Sequence, residues 1–135
     1  MSALSAAGAN VFATDIVDEY GELPANTFYE KCDVTSREAT ETLIENIIFD
    51  LQAIHILVLC AGTISNKPLA ESTDQEWSSI FDVNVMGVVN PVRKVFPIMA
   101  ERGYGKIVAL GSIAAKIGGV ASGPSYVAAK SAVHG

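Results

Sequence analysis

The 135-residue sequence is poor in several features that would assign it to particular classes of protein. Its two cysteines, Cys32 and Cys60, are too few for a disulfide framework and form no cluster with metal-ligand spacing, so we expect buried, reduced thiols. A net charge of −6 leaves no basic stripe for nucleic acid. No apolar run is long enough to span a bilayer, and no basic segment precedes the apolar start. We therefore expect a cytoplasmic protein without membrane or nucleic-acid partners.

The composition is that of one folded domain. Half of the residues are hydrophobic and 18% are charged, which argues against disorder. We find no repeat, linker or low-complexity segment, so residues 1–135 are expected to form one unit.

Short β-rich runs alternate with longer helical stretches, which is typical of an α/β fold with a mainly parallel sheet. We predict strands at residues 10–16, 27–34, 54–60 and 106–110, the last two buried, and helices at 2–7, 35–52, 72–102 and from 124 onward. The second helix is given an apolar stripe of Ala39, Leu43, Ile47 and Phe49, and the third an interruption near Asn84 and Gly87. Residues 111–123, rich in Gly, Ala and Ser, are predicted to be a loop close to a ligand.

Tyr126 and Lys130 are four residues apart in the last predicted helix and therefore share a face. A free phenol has a pKa of about 10, and a nearby ammonium lowers that pKa by favouring the phenolate. The pair is a sensible general acid/base. Taken alone, the pair is weak evidence, and a solvated helix face that carries a structural tyrosine would be the first interpretation.

Ser112 and Asn84 are further candidates. Ser112 follows the strand at 106–110, at the carboxyl end where open α/β sheets bind ligands, although a loop serine often only satisfies nearby backbone. Asn84 lies inside a helical stretch, where asparagine competes for backbone hydrogen bonds. Either its side chain is exposed and neutral, or the helix is disturbed there.

Together these motifs resemble the Asn-Ser-Tyr-Lys tetrad of classical short-chain dehydrogenases/reductases, in order and with similar gaps. The residues that carry the resemblance are Asn84-Val85-Met86-Gly87, Gly111-Ser112 and Tyr126 to Lys130, together with Asp33-Val34, similar to the family's adenine-contacting pair, and Ala61-Gly62, similar to the end of its Asn-Asn-Ala-Gly segment. The resemblance covers essentially the whole chain. It implies a Rossmann-like, doubly wound, mostly parallel sheet.

The resemblance also implies a reaction, in which hydride moves between a nicotinamide cofactor and a small alcohol or ketone. Tyr126 would be the acid/base, Lys130 would lower its pKa and hold the nicotinamide ribose, Ser112 would orient the substrate carbonyl, and Asn84 would anchor a water in the proton relay. The implied cofactor-binding positions are Asp15, Asp33, Val34, Ala61, Gly62, Asn84, Tyr126 and Lys130. The parent enzyme of such a chain is expected to be a homo-oligomer.

Asp15 ends the strand where this family selects its cofactor. A carboxylate there can accept hydrogen bonds from both adenosine ribose hydroxyls and would repel a 2′-phosphate. Since no arginine neighbours it, NAD is favoured over NADP. The alternative is a strand-end aspartate in a turn.

The sequence also departs from the family. Leu59 and Cys60 replace two asparagines that brace the central sheet, and no glycine-rich pyrophosphate turn occurs before Asp15. We expect an incomplete sheet without the family's first and last strands. The loss of the central first strand would leave two interior edges unpaired. Two hypotheses therefore stand: a partial dinucleotide-binding and catalytic domain of an oxidoreductase, or an inactive, family-derived fragment that is a binding or interaction module or a non-functional product. We expect little or no turnover from the chain alone.

Overall fold

The computed structural model describes residues 1–19, 21–119 and 121–135. Its regular elements follow the chain as α1 (Ser2–Ala6), β1 (Val11–Asp15), β2 (Thr27–Lys31), α2 (Arg37–Leu51), β3 (Ile56–Leu59), α3 (Asp74–Phe81), a π-helical turn (Asp82–Met86), α4 (Gly87–Arg102), β4 (Lys106–Ala109), α5 (Ala114–Ile117) and α6 (Pro124–His134). This order confirms the alternating α/β pattern. The short helix α5 lies within the predicted loop at 111–123, of which residue 120 is outside the described part.

The helices begin and end at residues suited to those positions. The Ser36 and Thr73 hydroxyls accept backbone N–H groups in the first turns of α2 and α3, each at 3.2 Å. Gly103 ends α4 with a φ of +68°, a left-handed conformation that glycine adopts without strain. Pro124 starts α6, where its missing N–H costs no hydrogen bond.

The strands form two separate parallel pairs. In one pair β1 lies beside β2, with Val11 opposite Thr27, and in the other β3 lies beside β4, with Ile56 opposite Lys106. Residues of β1 and β3 line a cleft of about 660 Å³ between the pairs. The two strand edges expected to be unpaired are therefore open along this cleft, among the residues that the structure describes.

The prediction that residues 54–60 and 106–110 are buried strands is wrong as to burial. Ile56 and Val58 are 47% and 41% exposed, and all four residues of β4 are exposed. An apolar run identifies a strand, but neighbouring elements must cover it. Within the described ranges, β3 has only β4 as a paired strand, so much of its surface reaches solvent.

The core lies between α2 and α4. Ile44, Val95 and Met99 are its buried members, and Ile48, Ile54 and Leu57 pack against them. A Lys94–Glu45 ion pair of 2.5 Å joins the same two helices at the surface.

The apolar stripe predicted for α2 is wrong at Phe49, which is 81% exposed. The buried residues of this helix are Thr40, Leu43 and Ile44. At about 100° per residue, Phe49 lies about 180° around the helix axis from Thr40, on the solvent side.

The two thiols differ in environment. Cys32 is 5% exposed, and its burial raises the pKa of the thiol, which keeps it protonated. Cys60 is exposed at the end of β3 and lines the cleft, so the expectation of a buried thiol is wrong there. None of the helices formed by the described residues is both long and apolar enough to cross a membrane.

Candidate active site

Asn84 lies in the π-helical turn between α3 and α4, so the helix is disturbed at the position where the sequence suggested an interruption. A π turn lengthens the hydrogen-bonded ring by one residue, and such turns are frequent at functional sites. The side chain of Asn84 is fully buried, and its Nδ2 donates to the carbonyls of Ile80 at 2.9 Å and Thr63 at 2.8 Å. The amide thus ties this helix to the loop that follows β3.

The other end of the Asn84 amide has no such partner. Oδ1 is buried and accepts no hydrogen bond from the residues that the structure describes. A Cβ built on Gly62 would lie 3.1 Å from this oxygen and 3.6 Å from Lys130 Nζ. An acceptor and an ammonium donor therefore approach one point, which glycine leaves free of side-chain atoms. This pairing suits a bridging water or a ligand hydroxyl.

Lys130 is buried on α6 with 6% exposure, which rules out the solvated helix face considered for it. Its Nζ donates to the Leu110 carbonyl at 3.0 Å and lies 6.0 Å from the centre of the Tyr126 ring. No carboxylate of the described residues forms an ion pair with it. Because an uncompensated buried charge is costly, this ammonium is best matched by an anionic or strongly polar group brought to the site.

Ser112 follows β4 at the same strand end, two residues after the Leu110 carbonyl that Lys130 contacts. Its hydroxyl accepts the N–H of Ala114 at 3.2 Å, at the start of α5. The side chain is half-buried and still has a hydroxyl proton to donate. The carboxyl end of β4 and helix α6 thus bring Ser112, Tyr126 and Lys130 to one region.

Of the residues predicted to bind the cofactor, Asp15 and Asp33 lie at or just after the carboxyl ends of β1 and β2. Asp15 is exposed at the end of β1, and its Oδ1 accepts the N–H of Ile16 at 2.6 Å. Oδ1 of Asp33 accepts from the N–H and hydroxyl of Thr35, at 2.9 and 2.8 Å, in a local turn. Asp15, Val34 and Ala61 all line the cleft. Within the described part of the chain, Asp15 forms no hydrogen bond with Asn84 or Lys130.

Comparison with known proteins assigns the family. The model of the short chain dehydrogenase family matches residues 2–135. The chain belongs to this family. A 3-alpha-(or 20-beta)-hydroxysteroid dehydrogenase of Mycobacterium tuberculosis is 34% identical over 138 residues, and a 3-oxoacyl-acyl-carrier-protein reductase of Staphylococcus aureus is 27% identical over 133 residues. Each alignment covers 98% of this chain, and it covers 53% of the first relative and 54% of the second.

Solved structures agree with this assignment. The crystal structure of gox2181 superposes with a TM-score of 0.88 at 29% identity, covering 98% of this chain and 55% of that one. An aldohexose dehydrogenase of Thermoplasma acidophilum gives a TM-score of 0.88 at 28% identity, covering 97% of this chain and 50% of that one. As a short chain dehydrogenase, the chain spans about half the length of the relatives that it matches.

A second buried asparagine of this short chain dehydrogenase was not predicted from the sequence. Asn90 is 3% exposed in α4, and its Nδ2 donates to the carbonyls of Val34 at 3.0 Å and Thr35 at 3.3 Å. A Cβ on Gly87 would lie only 2.8 Å from Cγ2 of Val34. The turn at Asp33 and Val34 is therefore held tightly against α4. An asparagine in mid-helix was the available signal, and it applied to Asn90 as well as to Asn84.

Leu59 and Cys60, which stand where the family resemblance implies two asparagines, differ in their environments. Leu59 is 8% exposed and Cys60 is exposed at the cleft. Neither side chain can make the amide hydrogen bonds that brace this segment in the family. The loop after β3 is instead held by Asn84 and by contacts around Ser65.

Proposed function

We propose that this chain is the nicotinamide-ribose and proton-transfer part of an NAD-dependent short chain dehydrogenase acting on a secondary alcohol or ketone, within one dinucleotide-binding domain. The observation that carries this proposal is the approach of Asn84 Oδ1 and Lys130 Nζ to one point beside Gly62, with the Tyr126 ring next to the ammonium. Family membership supports it independently.

In the direction of alcohol oxidation, the oxygen of Tyr126 takes the proton of the substrate hydroxyl. The ammonium of Lys130 offsets the negative charge on that oxygen, and Ser112 donates a hydrogen bond to the substrate oxygen. Asn84 Oδ1 and Lys130 hold the water through which the proton leaves. A bound nicotinamide supplies the hydride acceptor, or the hydride donor in the reverse direction.

The residues fit such a cofactor. The unpartnered Oδ1 of Asn84 and the two remaining N–H groups of Lys130 can bind ribose or water oxygens. Asp15, Val34 and Ala61 lie along a cleft that could receive the adenosine end. We propose NAD over NADP because the exposed Asp15 carboxylate would bind ribose hydroxyls and repel a 2′-phosphate.

The names of the relatives suggest substrates of several kinds. They refer to a hydroxysteroid, a 3-oxoacyl carrier thioester and an aldohexose. Their common chemistry is a carbonyl and the corresponding secondary alcohol, and we propose that class for this chain. We also propose that the active form is a homo-oligomer, and that its location is cytoplasmic, which suits two free thiols.

The competing proposal is an inactive, family-derived binding module. The open edges of β1 and β3 and the exposed apolar residues Ile56 and Val58 favour it. Catalysis and binding therefore have to be measured separately.

The test is a fluorescence titration with NADH, followed by an NAD reduction assay on a panel of secondary alcohols. Tyr126→Phe should lower any turnover by about 100-fold or more, since general acid/base groups contribute on that order, and should leave NADH binding nearly intact. Tyr104→Phe is the matched control, because Tyr104 is 57% exposed outside the site. If the wild type neither binds NADH nor turns over, the catalytic proposal fails and the binding-module proposal is favoured.

A further inference from the structure

One loop connects the two halves of the proposed site. Residues 63–67 follow β3, and the carbonyl of Thr63 accepts the Asn84 amide at 2.8 Å. The carbonyl of Ser65 accepts the N–H of Gly123 at 2.6 Å. Gly123 immediately precedes α6, which carries Tyr126 and Lys130. A shift of this loop would therefore change the position of Asn84 relative to Lys130.

The loop and the start of α6 are packed without spare room. A Cβ on Gly123 would lie 2.5 Å from the Lys67 carbonyl oxygen, too close for a real contact, and 3.0 Å from that of Ser65, closer than most real contacts. Because the two backbones touch, the loop cannot move towards α6 without displacing the beginning of the helix.

Glu76 holds this loop from the other side. It lies in the first turn of α3, where its N–H donates to Thr73 Oγ1 and completes the helix cap. Its Oε1 accepts a short hydrogen bond from the Ser65 hydroxyl, and its Oε2 forms a 2.9 Å ion pair with Lys67 Nζ. The Ser65 oxygen in turn accepts the N–H of Lys67 at 3.2 Å. One carboxylate thus binds both side chains of the loop.

The two partners of the Glu76 carboxylate, Ser65 and Lys67, differ in exposure. Ser65 is 9% exposed and the Glu76 side chain is 14% exposed, whereas the Lys67 side chain is 57% exposed. An ion pair with a solvated lysine contributes little, while a buried hydrogen bond to a carboxylate is among the stronger ones. The hydrogen bond between Ser65 and Glu76 should therefore hold the loop more strongly than the Lys67 ion pair does.

We propose that Glu76 is a positioning residue that acts through Ser65 on residues 63–67 and thereby sets the separation between Asn84 and the Tyr126–Lys130 helix. As a statement about catalysis this rests on the proposed function. As a statement about geometry it does not.

The geometric part is tested by amide hydrogen exchange on the whole chain, followed by NMR. Glu76→Ala should speed exchange at the Gly123 N–H and the Asn84 side-chain amide by about tenfold, the effect of losing a charge-assisted hydrogen bond. Exchange at Val95, in the core between α2 and α4, should stay within about twofold. A uniform acceleration at all three sites, or none at Gly123 and Asn84, would overturn the proposal.

Three variants sharpen the result. Glu76→Gln keeps an oxygen acceptor for Ser65 and should restore most of the protection, whereas Lys67→Ala should change it by less than about threefold. Glu45→Ala removes a comparable ion pair, the one with Lys94, which lies far from the loop in sequence. It should leave exchange at the Gly123 N–H unchanged. If Glu76→Ala does not fold, Glu76→Gln and Ser65→Ala decide the question. Ser65→Ala must then speed exchange at the Gly123 N–H, and Glu76→Gln must not.

The catalytic part is tested with the NAD assay. Glu76→Ala should lower kcat by about tenfold with little change in KM for NAD, and Glu76→Gln should recover it. If the wild type neither binds NADH nor turns over, the proposed function fails, while the exchange pattern still decides whether Glu76 positions the loop.

Discussion

The side chains on the helical side of the molecule are buried more completely than those on its strand side. On the helical side, Val95 is 1% exposed, Asn84 is fully buried and Lys130 is 6% exposed. On the strand side, Ile56 is 47% exposed and β4 is exposed throughout. The proposed site draws on both sides, because Asn84 and Lys130 come from the helices and Lys130 donates to the Leu110 carbonyl just after β4.

The largest expected effect comes from removing a buried side chain on the helical side. Ile44→Ala should lower the free energy of unfolding by about 2–5 kcal/mol, because it opens a cavity against Val95 and Met99. Val58→Ala, on the exposed side of β3, should cost less than about 1 kcal/mol. Urea unfolding of both variants measures the difference. Equal losses would show that the two sides contribute alike and would break the comparison.

A smaller effect is expected at Asn84. Asn84→Ala leaves the carbonyls of Ile80 and Thr63 without their donor and should cost about 1–3 kcal/mol, measured by the same urea unfolding. The control is Asn66→Ala, since Asn66 is exposed in the loop after β3 and its loss should lie within about 0.5 kcal/mol. Similar values for the two variants would mean that the π turn does not need the Asn84 amide.

The smallest expected effect is on how the stability of the fold changes at acidic pH. Hydrogen bonds from Ser65 and Lys67 lower the pKa of Glu76 from its ordinary value of 4.5. Since the folded pKa is the lower one, ionised Glu76 stabilises the fold above about pH 4.5, and this contribution disappears as the pH falls through the folded value. Glu76→Gln should therefore lose less stability than the wild type between about pH 6 and pH 3.

The comparison for that measurement is Glu45→Gln, which removes an exposed carboxylate from its Lys94 pair. Its acid sensitivity should match that of the wild type more closely. Parallel pH profiles for the wild type and Glu76→Gln would count against a structural role for the Glu76 carboxylate.

Local signals in the sequence were sufficient for most of the helices and strands and for several of their ends, although α5 lies inside a segment that was predicted to be a loop. Ser36, Thr73, Gly103 and Pro124 act within one turn of where they stand, so their effects could be predicted. The helix interruption predicted near Asn84 is present as the π turn, and the signal was that asparagine fits an ordinary helix poorly. Burial of β3 and β4 could not be predicted, because it depends on which elements cover them.

The residues of the proposed site could be proposed from the sequence, but their contacts could not. Spacing and family resemblance pointed to Asn84, Ser112, Tyr126 and Lys130, but not to how they meet. The contact of Lys130 with Leu110 joins residues twenty apart, and that of Asn90 with Val34 joins residues 56 apart. Nothing local to Glu76 or Ser65 indicated that they bind each other. Such contacts follow from the packing of α3 and α6 around the loop.

The π turn has a consequence for helical register. It accommodates about one residue more than an α-helical turn, so α4 continues from α3 rotated by about 100° about the axis. Deleting one residue from Asp82–Met86 would restore an uninterrupted α-helix, and every side chain after it would change its angular position. Val95 and Met99 would then leave the face that meets Ile44, and Asn90 would leave Val34. The single extra residue thus lets one helical rod present Asn84 to the site and its later turns to the core.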